Sequence, residues 1–299
     1  MNKILVVGQI VMERQYLVDD VASVNEVSIV KKINSLASSK ELNASRIMCT
    51  LNNLDYVSAV GADDDGLVAL RYLKRYGISY DHVLTSNTSP TGQVVVMTDK
   101  KGASAITVFL GANDDLDVIS IDYSKYDFIY TSSANPLELV YKVIDEANIK
   151  NVPILVDFPN KQKEFDLKRL KGISFVCPNR QEAEKILDKK INTIKDALLA
   201  CEKLKSFTDG SVFITLDKDG CVAYEKTWNL PRYFKTEKVK VKDMTGSGDI
   251  FRGVFSSYYL KTNDFEESVN KALYIATKSC EFEGVDDSIN QSIKLLKNL

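Results

Sequence analysis

The stretch "KDMTGSGDIFRGVF" (242–255) sets Gly246, Ser247 and Gly248 directly ahead of a helix-forming run. A helix N-terminus presents unpaired backbone N–H groups and the positive end of the helix dipole, so a glycine-rich approach to one suits an anion. Asp249 follows Gly248 immediately, and an aspartate there would repel a bound phosphate. Two readings stay open. Either the anion is transient and Asp249 works on a proton nearby, as a general base must, or the stretch is a plain turn in which Asp249 caps a helix over 250–260.

Upstream of this stretch, short apolar runs ("KILVVG", "YVSAVG", "FIYTSS", "PILVDF", "FVCPN", "VFITL") alternate with helical patterns such as "ELNASRIMCTLNNL" (41–54), "LELVYKVIDEANI" (137–149) and, downstream, "NKALYIATKSCEFEG" (270–284). The alternation predicts βαβ units and a mostly parallel sheet with helices on both faces, an α/β fold. Ligands of such sheets bind beyond the carboxyl ends of the strands. Residues 14–34 and 92–110 break the alternation and read as antiparallel strand pairs forming a small projecting sheet. No Pro-, Gly- or Ser-rich linker and no solenoid-length repeat interrupts the chain, so one domain over 1–299 with a β appendage is expected.

Lys plus Arg number 39 against 41 Asp plus Glu, a balance without the basic field that nucleic acid requires. The opening apolar run meets Glu13 and Arg14 too early for a signal segment, and no run reaches a membrane span. Five scattered cysteines without CxxC pairing indicate neither a disulfide framework nor a zinc site, which fits a cytoplasmic location. The sole histidine, His82, has no second histidine for a metal pair. There is no GxxxxGK[ST], and "GSGDIFRG" lacks the spacing of a dinucleotide fold.

"DMTGSGDIFRGVF" resembles the C-terminal signature of the ribokinase-like (PfkB) family of sugar and nucleoside kinases, D-T-x-G-A-G-D-x-F-x-x-G. Asp243, Thr245, Gly246, Gly248, Asp249, Phe251 and Gly253 occupy its positions, with a small variation of spacing around Met244. Further matches follow in family order: "VGADDDG" (60–66), "TGQ" (91–93), "LGAN" (110–113), "PNRQEAE" (178–184) and "TLDKDG" (215–220). Each is weak alone, and their joint order is strong. The resemblance implies a ribokinase-like three-layer α/β/α sandwich, with 14–34 and 92–110 forming a lid through which some relatives dimerise. It also implies transfer of the ATP γ-phosphoryl group to a substrate hydroxyl, with Asp249 as base and the backbone of Gly246, Ser247 and Gly248 as anion hole.

For the nucleotide, the resemblance points to Asn179, Glu182, Thr215, Lys218, Gly220 and Thr245. Asn179 and Glu182 are three apart and share a helix face, so they suit Mg²⁺ held through water, although a capping box gives the same string. Asp217 stands where the family has glycine. Asp243 and the backbone around Gly284 correspond to a monovalent-cation site in some relatives, which implies potassium besides ATP and Mg²⁺.

Substrate contacts fall by resemblance on Glu13, Ser38, Ser39, Asn43, Gly111 and Asn113. Only Asn43 matches the family's aspartate, Gly-Gly pair and asparagine. Glu13 carries its carboxylate about 1.5 Å further out than aspartate, one C–C bond, and Ser38-Ser39 replace residues that permit positive φ while adding hydroxyls. Ala134 stands where ribokinases proper carry a carboxylate, so plain ribose is not the first expectation. "VVGQIVMERQY" is similar to the opening of heptose-phosphate kinases, and "VDFPN" (156–160) to a strand of fructokinases and ketodeoxygluconate kinases. A sugar kinase is the leading expectation. A nucleoside kinase and a non-catalytic binding protein on the same fold are the alternatives.

Overall fold

The first strand, β1 (Lys3–Val7), shows how the chain builds its core. Ile4 and Val6 enter one apolar cluster, Leu5 and Val7 another. Successive side chains of a strand point to opposite faces, so β1 is buried on both sides, as an unbroken apolar run in a parallel sheet requires. The structure, a computed structural model, describes residues 1–116, 121–158 and 165–298. Pro159 and Asn160 of "VDFPN" lie outside the described residues.

Around β1 stand β4 (Asn53–Gly61), β5 (Ser79–Ser86), β8 (Phe128–Ser132), β9 (Ile154–Asp157), β10 (Phe175–Cys177), β11 (Ser211–Thr215), β12 (Cys221–Tyr224) and β13 (Arg232–Phe234). They form a sheet in the order β13-β12-β11-β10-β9-β8-β1-β4-β5. Pairings from β5 to β11 are parallel, and β12 and β13 continue antiparallel. The chain proceeds from β1 to β4 on one side and later to β8 on the other. Strand order therefore reverses beside β1, and a crevice opens at the carboxyl ends of β1 and β8.

Helices α1 (Lys40–Met48), α2 (Asp64–Arg75), α6 (Ser247–Thr262), α7 (Phe265–Ser279) and α8 (Val285–Lys297) cover one face; α3 (Leu137–Ile149), α4 (Arg180–Leu187) and α5 (Ile194–Lys205) cover the other. Three sequence expectations need correction. The helix expected over 41–54 ends at Met48, because Leu54 and Tyr56 belong to β4 and are buried beside β1; apolar periodicity alone does not separate a helix end from the strand that follows. The run expected over 270–284 lies in a helix that starts earlier, where Asp264 caps Glu267 N–H, and stops at Ser279. Helix α6 begins at Ser247, ahead of the 250–260 reading, so Asp249 lies inside its first turn and caps nothing.

A second sheet, in the order β3-β2-β6-β7, holds β2 (Val11–Val18), β3 (Val30–Ser38), β6 (Gly92–Thr98) and β7 (Ser104–Phe109). The two antiparallel pairs expected from sequence are present, joined by parallel pairing of β2 with β6. The strands extend beyond 14–34: β2 begins at Val11 and β3 runs to Ser38, since Val11 and Ser38 pair with each other. Asp63 anchors this sheet to the body, accepting hydrogen bonds from Thr91 N and Oγ1 at 2.8 and 2.6 Å, and Arg14 adds an ion pair to Asp65 at 2.8 Å. No helix among the described residues is long and apolar enough to cross a membrane.

Candidate active site

Gly246, at φ +79, opens α6 in the left-handed region, where a side chain is strained. Its carbonyl accepts from Ile250 N at 2.9 Å, while Ser247 N–H donates to Met244 O. The N–H groups of Gly246 and Gly248 have no backbone partner among the described residues. Asp249, one residue on, is buried, and its Oδ2 accepts from Asn43 Nδ2 of α1 at 3.0 Å. Burial pushes its carboxyl up to about 6, against the pull of Lys40, Arg252 and Asn43 toward the anion. At neutral pH it is mostly ionised yet close to the point where it takes a proton.

Charged side chains converge on the ends of β9 and β10 beside Asp249. Arg252 Nη2 lies 2.5 Å from Asp157 Oδ1, the last residue of β9, and 3.8 Å from Glu182 Oε2. Lys40 Nζ lies 3.5 Å from both Asp157 and Glu182. Next to Lys40, Glu41 is fully buried at the carboxyl ends of β1 and β8, where its Oε1 accepts from Ser132 Oγ at 2.5 Å and Asn135 Nδ2 at 3.1 Å. Burial pushes Glu41 up to about 7. Sequence reading missed Lys40, Glu41, Asp157 and Arg252. Arg252 had a signal, its i,i+3 spacing from Asp249, and so did Asp157, a charge ending the apolar run "PILVDF"; Glu41 had none.

The nucleotide candidates gather at the ends of β10 and β11. Asn179 and Glu182 form a reciprocal capping box on α4, with Asn179 Oδ1 accepting from Glu182 N and Glu182 Oε2 accepting from Asn179 N. Asn179 also bridges Thr215. Burial and the Asp157 charge raise the Glu182 carboxyl against the opposing pull of Arg252 and Lys40. Asp217 adopts φ +52, the conformation a glycine takes without strain, and Lys218 beside it is exposed; Gly220 follows at φ +97. Asp243 accepts from Thr245 N and Gly284 N at 2.9 and 3.0 Å, tying the approach to α6 to the start of α8.

The substrate candidates divide. Asn43 meets Asp249 directly. Ser39 caps α1 through Leu42 N at 2.9 Å with φ −176, an extended conformation, so no positive φ is needed there. Ser38 is buried at the end of β3. Glu13 stands on β2, where it accepts from Gln15 Nε2 at 2.7 Å and shares a sheet face with its cross-strand neighbours Leu36 and Val94. Gly111 and Asn113 form a turn. Asn113 Oδ1 accepts from Ile10 N at 3.0 Å, and its amide donates to Ile10 O and Leu110 O, so it pins the chain between β1 and β2.

Fold and site together define a doubly wound α/β protein with an anion-suited helix start and a cluster of ionisable groups at its strand ends. The sequence profile of the pfkB family carbohydrate kinase matches residues 1–292, and the chain belongs to that family. An uncharacterized sugar kinase of Archaeoglobus fulgidus is 28% identical over 247 residues, covering 80% of this chain and 95% of its own. A deoxyribokinase of Salmonella typhi is 23% identical over 265 residues, covering 86% and 83%. The solved Arabidopsis thaliana ribokinase, complexed with ribose and ATP, superposes with a TM-score of 0.89 at 21% identity and 99% coverage of both chains. The expected family and ribokinase-like fold are thus found, and the chain is a carbohydrate kinase.

Proposed function

We propose that the chain transfers the terminal phosphoryl group of ATP to a hydroxyl of a sugar or sugar-like molecule, with Asp249 as general base and the backbone of 246–248 as anion hole. One observation carries this reading: the buried Asp249 carboxylate, held by Asn43 at 3.0 Å, stands in the first turn of a helix, directly behind a start whose Gly246 and Gly248 N–H groups have no backbone partner among the described residues. Family membership and relatives named as sugar kinases support it.

The substrate hydroxyl gives its proton to Asp249 as its oxygen bonds to phosphorus and the bond to the ADP oxygen breaks. Asn43 holds the second carboxylate oxygen, which aims the base. The N–H groups of Gly246 and Gly248 meet charge on the transferred group; the Ser247 N–H, already given to Met244, contributes less. Lys40, whose side chain is 39% exposed, reaches the same cleft. Glu13 and Asn43 are the first substrate ligands, joined by Ser38 and Ser39, and the four-stranded sheet closes as a lid that excludes water from the reacting phosphate.

Asn179 and Glu182 would hold a divalent ion only through water: each spends one acceptor site on the capping box, and the buried Glu182 carboxylate also faces Lys40 and Arg252. Mg²⁺ bound there supplies charge against the triphosphate. Potassium near Asp243 and Gly284, a cytoplasmic location and dimerisation through the lid belong to the same proposal.

Coupled ADP production with Mg-ATP and potassium, across pentoses, hexoses, sugar acids, sugar phosphates and nucleosides, tests the reading. Turnover on one class that Asp249→Asn abolishes supports it. Turnover that survives in Asp249→Asn removes the base role, and silence on every class by a protein that binds ATP counts against the kinase.

A further inference from the structure

The chemistry above leaves unused a buried cation that stands beside Asp249. Arg252, 3% exposed, sits one turn beyond Asp249 on the same helix. Its Nη2 is anchored on Asp157 at 2.5 Å and donates to the Cys177 carbonyl at 3.2 Å. Its Nη1 lies 3.8 Å from Asp249 Oδ1 and makes no hydrogen bond among the described residues. A Cβ on Gly248 would come within 2.9 Å of that Nη1, so the guanidinium lies against the first turn of α6 and the glycine leaves room for it.

Three carboxylates from three elements meet this one guanidinium: Asp157 from β9, Glu182 from α4 and Asp249 from α6. Buried ion pairs are often no more stabilising than apolar packing of the same volume, so stability alone is a weak reason for the cluster. Its geometry bears directly on the base: Asn43 holds Oδ2 of Asp249, and Arg252 faces Oδ1.

We propose that Arg252 is a positioning residue for phosphoryl transfer: anchored on Asp157, its guanidinium faces Oδ1 of Asp249, orients that carboxylate and keeps it ionised in a site closed to water. The proposal rests on Asp249 acting as base. Arg252 gives up no proton; its charge is the same before and after the substrate proton reaches Asp249. The other groups facing Asp249 are Lys40 and Asn43 of α1, which favour the anion, and Asp157 of β9, which opposes it; Tyr130 of β8 stands close enough to feel its charge. Of the two cations, Lys40 is part-exposed and Arg252 is locked in place.

The test compares wild type, Arg252→Gln and Arg252→Lys by the pH dependence of kcat/KM, by the split between kcat and the KM for ATP, and by ¹³C-carboxyl NMR titration of Asp249. The NMR signal is identified by its absence in Asp249→Asn and needs no substrate. Arg252→Gln is expected to move the acidic limb and the Asp249 titration upward by about one pH unit, because an opposite charge at this range lowers a carboxyl by about that much or more. The accompanying loss falls on kcat, with the KM for ATP unchanged. Arg252→Lys keeps the charge at shorter reach and moves both readouts by a smaller amount in the same direction. If the variants fold and lose activity evenly at every pH, with the Asp249 titration unmoved, Arg252 is packing only and the proposal fails. Should Arg252→Gln not fold, an unmoved titration in Arg252→Lys overturns it equally. An active Asp249→Asn defeats the base reading and this proposal together, whereas an inactive one beside an unmoved titration defeats this proposal alone.

Discussion

Replacing Asp249 with asparagine is expected to silence phosphoryl transfer and also to make the folded protein more stable at neutral and alkaline pH. Burial holds the carboxyl at about 6 against an ordinary value of 3.8, even though Lys40, Arg252 and Asn43 favour the anion. The folded chain therefore binds this proton more tightly than the unfolded chain does. Stability from the group is fully present below 3.8, declines as pH rises, and is gone above about 6. At about 1.4 kcal/mol for each tenfold in proton affinity, the displacement from 3.8 to about 6 amounts to about 3 kcal/mol. Asparagine has the same size, carries no charge, and can still accept from Asn43 through its carbonyl. For 299 residues, at about 2.1 cal/mol/K of unfolding entropy each, about 3 kcal/mol raises Tm by about 5 °C. Calorimetry at about pH 8 and about pH 5 reads the effect, which should be full at the first and shrink at the second, where wild-type Asp249 is itself protonated. A variant less stable than wild type at about pH 8, or one with the same gain at both values, would refute the reasoning.

Asn43→Ala removes the donor 3.0 Å from Asp249; a hydrogen bond to a charged group contributes about 1.5–3 kcal/mol, so kcat should fall about ten- to a hundredfold, measured by ADP production. Arg46, fully buried, joins Tyr72 at 2.9 Å, Asn290 at 3.0 Å and Asp286, with its guanidinium over the Tyr76 ring at 4.4 Å. Asp286 is half-exposed and can turn to water, so Arg46→Ala should lose about 1–3 kcal/mol in urea unfolding, from the ring contact and the hydrogen bonds it removes, while a change below about 0.5 kcal/mol would show that the α1–α2–α8 junction does not depend on it. Ile106 and Val108 are exposed on the face of the four-stranded sheet that also carries Leu36, Val94 and Val96, and an exposed apolar face of that kind marks association. Sedimentation at micromolar concentration should show a dimer, and an Ile106→Lys/Val108→Lys variant a monomer.

The local features were legible in the sequence because each depends on residues close along the chain. Alternation of apolar runs gave the parallel sheet, the segments near 14–34 and 92–110 gave the second sheet, and "TGSGD" marked the start of α6 with Asp249 beside it. Boundaries were less legible where one apolar pattern ran into the next, as at Met48 and Asn53. What the tertiary structure alone decided is which side chains meet at the strand ends. Asp157 and Arg252 stand 2.5 Å apart although one ends β9 and the other lies in α6, and Glu41 reaches Ser132 and Asn135 from the far side of β4 to β7 in the chain. Such meetings follow from the order of strands in the sheet and the faces on which helices pack, and no spacing in the sequence encodes them. Ser39 in extended backbone and Asp217 at φ +52 carry the same lesson at the scale of one residue: the residue type sets which conformations are cheap, and the surrounding fold chooses among them.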